Sequence, residues 1–208
     1  SNENVIKMLK RFLDIILSIL ALLIFFIPML LITVILLLTQ GRPILFKQIR
    51  PGLNEKPFDL LKFRTMSLDP NQYDAKNILI SDKDRITNLG RWLRASSLDE
   101  LPSLINVFTG DMSVVGPRPL LMHYLKLYSD EQKIRHKMKP GITGWAQING
   151  RNNISWPDKL SLDVWYVKNC STKLDIKILF LTIGKVIKRE GISSKGEATG
   201  EEFTGQKK

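Results

Sequence analysis

The sequence predicts an α+β fold, mainly helical, with an N-terminal re-entrant membrane helix-break-helix, a small β-hairpin and amphipathic helices lying at an interface. Three features lead there. No charged residue occurs from Ile15 to Thr39, and Pro28 interrupts the run, which is longer than the ~20 residues a membrane span requires. Ile44–Ile49 and Phe58–Phe63 are short apolar-rich stretches on either side of Pro51-Gly52-Leu53-Asn54, a hairpin pattern. Near the C-terminus, Ile176, Leu179, Phe180, Ile183, Val186 and Ile187 share one helical face, with Lys173, Lys177, Lys185, Lys188 and Arg189 on the other. Such a basic amphipathic helix suits an anionic membrane surface, or a core it docks on with a solvated back.

The apolar run comes first in the chain. A signal peptide would have an apolar core about half as long, followed by a small-residue cleavage site; Gly41-Arg42-Pro43 is not one. Lys7, Lys10 and Arg11 precede the run, and Arg42, Lys47 and Arg50 follow it. The rule that leaves positive charge on the cytoplasmic side therefore draws both ends to one face. Pro28 removes a backbone hydrogen bond and crowds the preceding turn, so the run is read as a helix that enters the bilayer, breaks and returns. A straight span with a mild kink is the alternative.

In the hairpin, Lys62 and Arg64 point to one side if the second stretch is a strand, where they either hold a phosphate or form a solvated edge. Leu68 to Lys83 is polar, with Pro70, Asn71, Asp74 and Asn77, and reads as a mobile loop. Ile86, Leu89, Trp92 and Leu93 have helical spacing among Arg85, Arg91 and Arg94. That helix fits a membrane surface with Trp92 at headgroup level, and it fits core packing equally.

Bulk composition narrows the partners. A formal charge of +11 and a pI near 9.8 favour an anionic partner: nucleic acid, phospholipid or a phosphorylated substrate. Cys170 is the only cysteine, so no internal disulfide forms and a reducing compartment fits. One Cys with His123 and His136 makes a poor zinc set.

Candidate chemistry centres on Ser97-Leu98-Asp99-Glu100-Leu101-Pro102. Ser97 and Glu100 have capping-box spacing, and Pro102 belongs in a first turn, so a helix start is expected. The acidic pair either complements that helix end or does chemistry with Arg91, Arg94 and Arg118 around it. Arg118 lies between Pro117 and Pro119, which restrict its backbone from both sides; a stiff arginine loses less freedom on gripping a phosphate, although stiff loops also serve structure alone. Ser129-Asp130-Glu131-Gln132 is a second capping box, opening a helix that should end before Pro140. Gly141 to Arg151, with Gln147 and Arg151, is a glycine- and amide-rich loop able to approach a nucleotide, without the P-loop or dinucleotide pattern. Trp156, Trp165 and Tyr166 offer aromatic surface for anchoring, stacking or core packing.

Lys62-Phe63-Arg64-Thr65-Met66, Ser97-Leu98-Asp99-Glu100-Leu101-Pro102, Asn106-Val107 with Gly110-Asp111-Met112-Ser113, Gly116-Pro117-Arg118-Pro119 and Pro140-Gly141-Ile142-Thr143-Gly144 together resemble the bacterial sugar transferase family, the monotopic phosphoglycosyltransferases. With no large domain before the apolar run, the chain is similar to its small single-domain members, which include an enzyme for a diacetylbacillosamine nucleotide in protein glycosylation. The resemblance implies transfer of a sugar 1-phosphate from a UDP-sugar to polyprenyl (undecaprenyl) phosphate with release of UMP. It also implies Mg2+ and a covalent aspartyl intermediate at the cytoplasmic face of the bacterial inner membrane. Asp99 would be the nucleophile, Glu100 would bind or orient the metal with it, and Arg118 would contact phosphate or nucleotide. Lys62, Arg64, Arg94, Gln147 and Arg151 are further candidates for the substrate. A carboxylate near a helix N-terminus is expected to stay ionised without a base. The small members have Ser before the membrane proline, where this chain has Ile27. Residues 1–40 are then the re-entrant membrane helix, 41–190 a cytoplasmic catalytic domain and 191–208 a polar, poorly ordered tail. No nucleic-acid module is recognisable; a membrane-tethered nucleic-acid binder or a non-enzymatic scaffold are the alternatives.

Overall fold

Pro28 decides the course of the N-terminus. Its ring has no N–H for the Ile24 carbonyl four residues back, and it crowds that carbonyl. In the computed structural model, which describes residues 2–68, 85–150, 154–188 and 203–205, helix α1 (Asn2–Ile24) stops there. Helix α2 (Phe26–Gln40) sets off after Phe25 at an angle of 59°. Among the described residues no single helix is long and apolar enough to cross a membrane; the bent pair meets that test only together.

Both arms of the bend are tied to the rest of the chain. On α1, the Arg11 guanidinium donates to the Val107 and Phe108 carbonyls (2.6 and 2.7 Å), and Lys10 Nζ lies 2.6 Å from Asp175. Buried Asp14 accepts from Ser113 Oγ and Val114 N at 2.9 and 2.8 Å. On α2, Ile32 and Leu36 are buried with Phe63 and Leu93. The outer faces stay uncovered: Leu23, Ile24, Phe26, Ile27 and Leu38 are mostly exposed, and a contiguous apolar surface of this kind marks a site for membrane or partner.

The hairpin forms as the sequence predicts. Strands β1 (Leu45–Pro51) and β2 (Pro57–Phe63) pair antiparallel from Leu45↔Phe63 to Pro51↔Pro57. The connection closes through Asn54 and Glu55 at φ 53° and 63°. The strand ends at Phe63, and the two basic side chains go to different partners, Lys62 to Glu100 and Arg64 to the end of α2. Helix α3 (Asn88–Ser96) is capped by Thr87, whose hydroxyl accepts from Gly90 N. It buries Leu93 and turns Trp92 outward at 55 % exposure. Gly90 is required there, because a Cβ would stand 2.0 Å from the Thr65 carbonyl oxygen.

Past the acidic pair comes helix α4 (Ser103–Thr109), then strand β3 (Ser113–Val115), which pairs in parallel with β4 (Gly141–Thr143). This second two-stranded sheet falls in segments that read as loops, since three residues show no periodicity. The Ser129 capping box forms with Gln132, but only Asp130–Lys133 (α5) is α-helical before the chain tightens into a 3-10 turn, Ile134–Lys137. Helices α6 (Trp145–Asn149), α7 (Trp156–Lys168) and α8 (Thr172–Lys188) follow.

On α8 the residue that enters the core is Ile178, with Val115, Ile148 and Tyr166, whereas Ile176, Phe180 and Ile183 stay exposed. Of the predicted apolar stripe, Leu179 packs against that core, and Ile176, Phe180 and Ile183 form an uncovered part. Phe203, in the stretch read as a poorly ordered tail, is buried against Tyr124, Tyr128 and Leu160, because its ring finds an aromatic cluster. Nearly all of the Leu68–Lys83 loop, Arg151 and the tail apart from residues 203–205 lie outside the described residues.

Candidate active site

The acidic pair does not open an α-helix. Ser97 adopts a left-handed conformation (φ 58°, ψ 15°), ending α3 and starting a 3-10 turn, Leu98–Glu100. The capping box expected there is absent: the Ser97 side chain makes no cap hydrogen bond, and the Glu100 carboxylate turns to two cations instead. Pro102 then leads into α4, and Ser103 Oγ donates to the Glu100 carbonyl. A non-glycine residue at positive φ costs about 1–2 kcal/mol and occurs where surroundings fix the backbone; here it aims the two carboxylates.

Glu100 Oε1 accepts from Lys62 Nζ at 2.7 Å and from Arg118 Nη2 at 2.6 Å, with Arg118 Nη1 at 3.4 Å from Oε2. Lys62 is delivered by β2, whose position is fixed from α4: Asn106 Oδ1 accepts from Leu61 N and Asn106 Nδ2 donates to the Asp59 carbonyl, at 3.0 and 2.8 Å. Arg118 is delivered by the Gly116–Pro119 loop, where Gly116 N donates to the Thr143 carbonyl and Gly141 N to that of Pro117. Gly116 and Gly141 allow this approach, since a Cβ on Gly141 would stand 2.0 Å from Gly116 N.

The two carboxylates have unlike environments. Burial alone would raise Glu100, but the Arg118 guanidinium and the Lys62 ammonium outweigh it and hold that carboxyl well below the ordinary range. Asp99, 9 % exposed, has no side-chain hydrogen bond among the described residues. Burial first, and then the Glu100 charge, push it up from 3.8 to about 6 against Lys62, Arg118 and Arg94. Asp99 is thus still mostly ionised at neutral pH, but burial and a like charge, rather than a helix end, set its titration.

The remaining candidates separate. Arg94, at the end of α3, donates from Nε to Thr65 Oγ1 at 2.9 Å and bears on Asp99 electrostatically. Arg64 is buried, and its guanidinium donates to the Gln40, Gly41 and Arg42 carbonyls, closing the C-terminus of α2. Gln147 donates back to the Ile142 carbonyl at 2.9 Å, leaving its Oε1 buried without a partner.

Sequence reasoning passed over two residues. Arg50, counted only with the basic flank, feels both Arg118 and Glu100; burial and then the Arg118 charge loosen its proton to about 10. Asn106 sat in a quoted motif without a role. The available signal for Arg50 was its place two residues after Gln48 on one strand face, and the two side chains are indeed 2.6 Å apart.

Among the described residues no group of three or more His, Cys, Asp or Glu side chains gathers to hold a metal. Two adjacent carboxylates do suit Mg2+, which keeps several waters and is bound through one or two carboxylates together with substrate phosphates. The charge on Asp99, which Lys62, Arg118 and Arg94 compensate only in part, is one that a cation would relieve.

Comparison with known proteins supplies the family. The bacterial sugar transferase profile matches residues 5–189. An uncharacterized sugar transferase, EpsL, of Bacillus subtilis is 58 % identical over 165 residues, 79 % of this chain and 80 % of that protein. The UDP-glucose:undecaprenyl-phosphate glucose-1-phosphate transferase of Escherichia coli is 41 % identical over 191 residues, 88 % of this chain but 41 % of its own length. An undecaprenyl-phosphate galactose phosphotransferase of Salmonella typhimurium is 38 % identical over 200 residues, 89 % of this chain and 42 % of that protein. This chain thus spans less than half of the latter two.

Proposed function

This chain belongs to the bacterial sugar transferase family, and from that premise we propose that it moves a sugar 1-phosphate from a UDP-sugar to polyprenyl (undecaprenyl) phosphate in two steps. Asp99 is the nucleophile. One of its carboxylate oxygens bonds to the sugar-bearing phosphorus while the bond from that phosphorus to the bridging oxygen breaks, its electron pair leaving on UMP. A phosphate oxygen of the lipid then attacks the same phosphorus and frees the carboxylate. Both attacking groups are anionic oxygens, so no histidine base is required.

The observation that carries this reading is the contrast between adjacent carboxylates: Glu100 clamped by Lys62 and Arg118, Asp99 buried and without a side-chain bond among the described residues. Pairs of acids pushed apart by their surroundings take different roles. Glu100 fixes Lys62 and Arg118 in place, and the half-exposed Arg118, with Lys62, Arg94 and Arg50, presents positive charge to the diphosphate. Asp99 and Glu100 would hold Mg2+, which when bound offsets the charge of the diphosphate.

The two-helix bend (59°) with basic residues at both ends supports a re-entrant hairpin on the cytoplasmic face of the inner membrane. There the lipid phosphate meets the site by local encounter. The relatives act on glucose or galactose donors by name, so a panel of UDP-sugars is the assay. Enzyme and UDP-sugar mixed without acceptor should release a burst of UMP equal to the enzyme, lost in Asp99→Asn. Turnover without a burst would establish direct attack by the lipid phosphate and remove the covalent step.

A further inference from the structure

We propose that the buried Arg135–Asp163 pair is a positioning device for Arg118. The proposal rests on the reading of Arg118 as the group that meets the substrate diphosphate. Arg135 Nη2 donates to the Arg118 carbonyl at 2.6 Å, and the same guanidinium holds Asp163 Oδ2 through Nε at 3.1 Å and Nη2 at 2.8 Å. The two side chains are 1 % and 4 % exposed. Pro117 and Pro119 narrow the backbone choices of Arg118, and backbone bonds anchor the loop at Gly116 and Pro117. Neither fixes the peptide on the far side of Arg118. The hydrogen bond from Arg135 does, and it is charge-assisted and out of water, where such bonds are strong.

Stability alone does not explain an ion pair at this place. Desolvating two charges offsets much of their attraction, and apolar residues of similar volume in the same place are often as stable or more so. What an apolar pair cannot do is hold a carbonyl. The pair spans three elements, with Arg135 on the 3-10 turn after α5, Asp163 on α7 and Arg118 in the loop after β3. It therefore sets the loop against the body of the domain. The Tyr128 ring, 5.7 Å from the Arg135 guanidinium, closes one side.

The test uses the full chain in nanodiscs. In the wild type, the Arg118 Nε–H resonance, assigned by its loss in Arg118→Lys, should show the order of a fixed side chain. Two variants are compared, Asp163→Asn and the double Arg135→Met/Asp163→Leu. The double variant should melt within a few degrees of the wild type or above it, and Asp163→Asn, which leaves Arg135 buried without its counter-charge, clearly below it, while Arg118 becomes mobile in both. Because a displacement of about 1 Å lowers rates by ~10²-fold, kcat should fall by about that factor with KM for the UDP-sugar nearly unchanged. Arg135→Lys, which keeps the charge without the fork, should not restore it. A mobile Arg118 in the wild type overturns the proposal. So do folded variants with wild-type kcat, or variants that all fail to fold, which would make the pair structural. If Arg118 is fixed by the pair but the wild type turns over no UDP-sugar, the positioning stands and the proposed reaction fails.

Discussion

Replacing Asp99 by Asn should stabilise the protein while abolishing turnover. The folded state raises this carboxyl from 3.8 to about 6, so between those values it binds a proton that the unfolded chain does not. Stability therefore falls as pH rises through that window, and the full penalty, ~3 kcal/mol, is present above about pH 6. Asn removes the charge at equal volume, although its amide still needs partners. For a chain of this size each kcal/mol moves the melting point by roughly 2–4 °C, so a gain of about 5–10 °C is expected at pH 8. The assay is thermal unfolding of full-length protein in nanodiscs with EDTA, at pH 8 and at pH 5. At pH 5, inside that window, the unfolded chain is still mostly ionised and the gain should fall to roughly half, vanishing only below about pH 3.8. No gain at pH 8, or the same gain at both, would refute a buried and uncompensated Asp99.

Lys62→Met removes a cation that lowers Asp99, so the acid limb of the kcat/KM profile, set by ionised Asp99, should move to higher pH by about one unit. Arg64→Met leaves the carbonyls at the end of α2 without their donors; it should destabilise by about 1–3 kcal/mol with KM for the UDP-sugar unchanged, and a raised KM would make Arg64 a substrate contact instead. Ser97→Gly should be neutral or mildly stabilising, because the left-handed conformation costs Gly nothing. Ser97→Val should lose about 1–2 kcal/mol and turnover with it, read by melting and UMP release.

The parts of the fold legible in the sequence are those with a local physical cause: the Pro28 break, the Pro51–Asn54 hairpin, the Ser129 cap. What escaped depends on contacts between distant segments. Ile178 rather than Phe180 enters the core because β3, α6 and α7 meet that side of α8, and no periodicity in α8 says so. The same holds for Arg64, whose partners are carbonyls more than twenty residues away. Asp99 and Glu100 stood out as a candidate site through motif company, but the local pattern misassigned Glu100 to a capping box. A capping glutamate and a clamped one have the same spacing from Ser97; only the arrival of Lys62 on β2 and Arg118 after β3 distinguishes them.

Under the proposed mechanism that arrival also favours one division of labour, which neighbouring positions in the chain leave open. Either carboxylate could attack phosphorus, and a nucleophile must have an oxygen lone pair free. Glu100 Oε1 has both cations on it and Oε2 faces Arg118 Nη1 at 3.4 Å, so attack by Glu100 would draw its carboxylate away from charge-assisted bonds worth about 1.5–3 kcal/mol each and loosen Lys62 and Arg118 as the diphosphate arrives. Asp99 breaks none. Its raised titration also marks a charge the site does not fully compensate, so transfer of that charge to a phosphoryl group is favoured by the same burial that destabilises the resting protein. Exchanging the two residues, as Asp99→Glu with Glu100→Asp, keeps both charges but lengthens the attacking arm and shortens the clamped one. Turnover should then be lost with the fold retained, and an active double variant would show that the clamp does not set the roles.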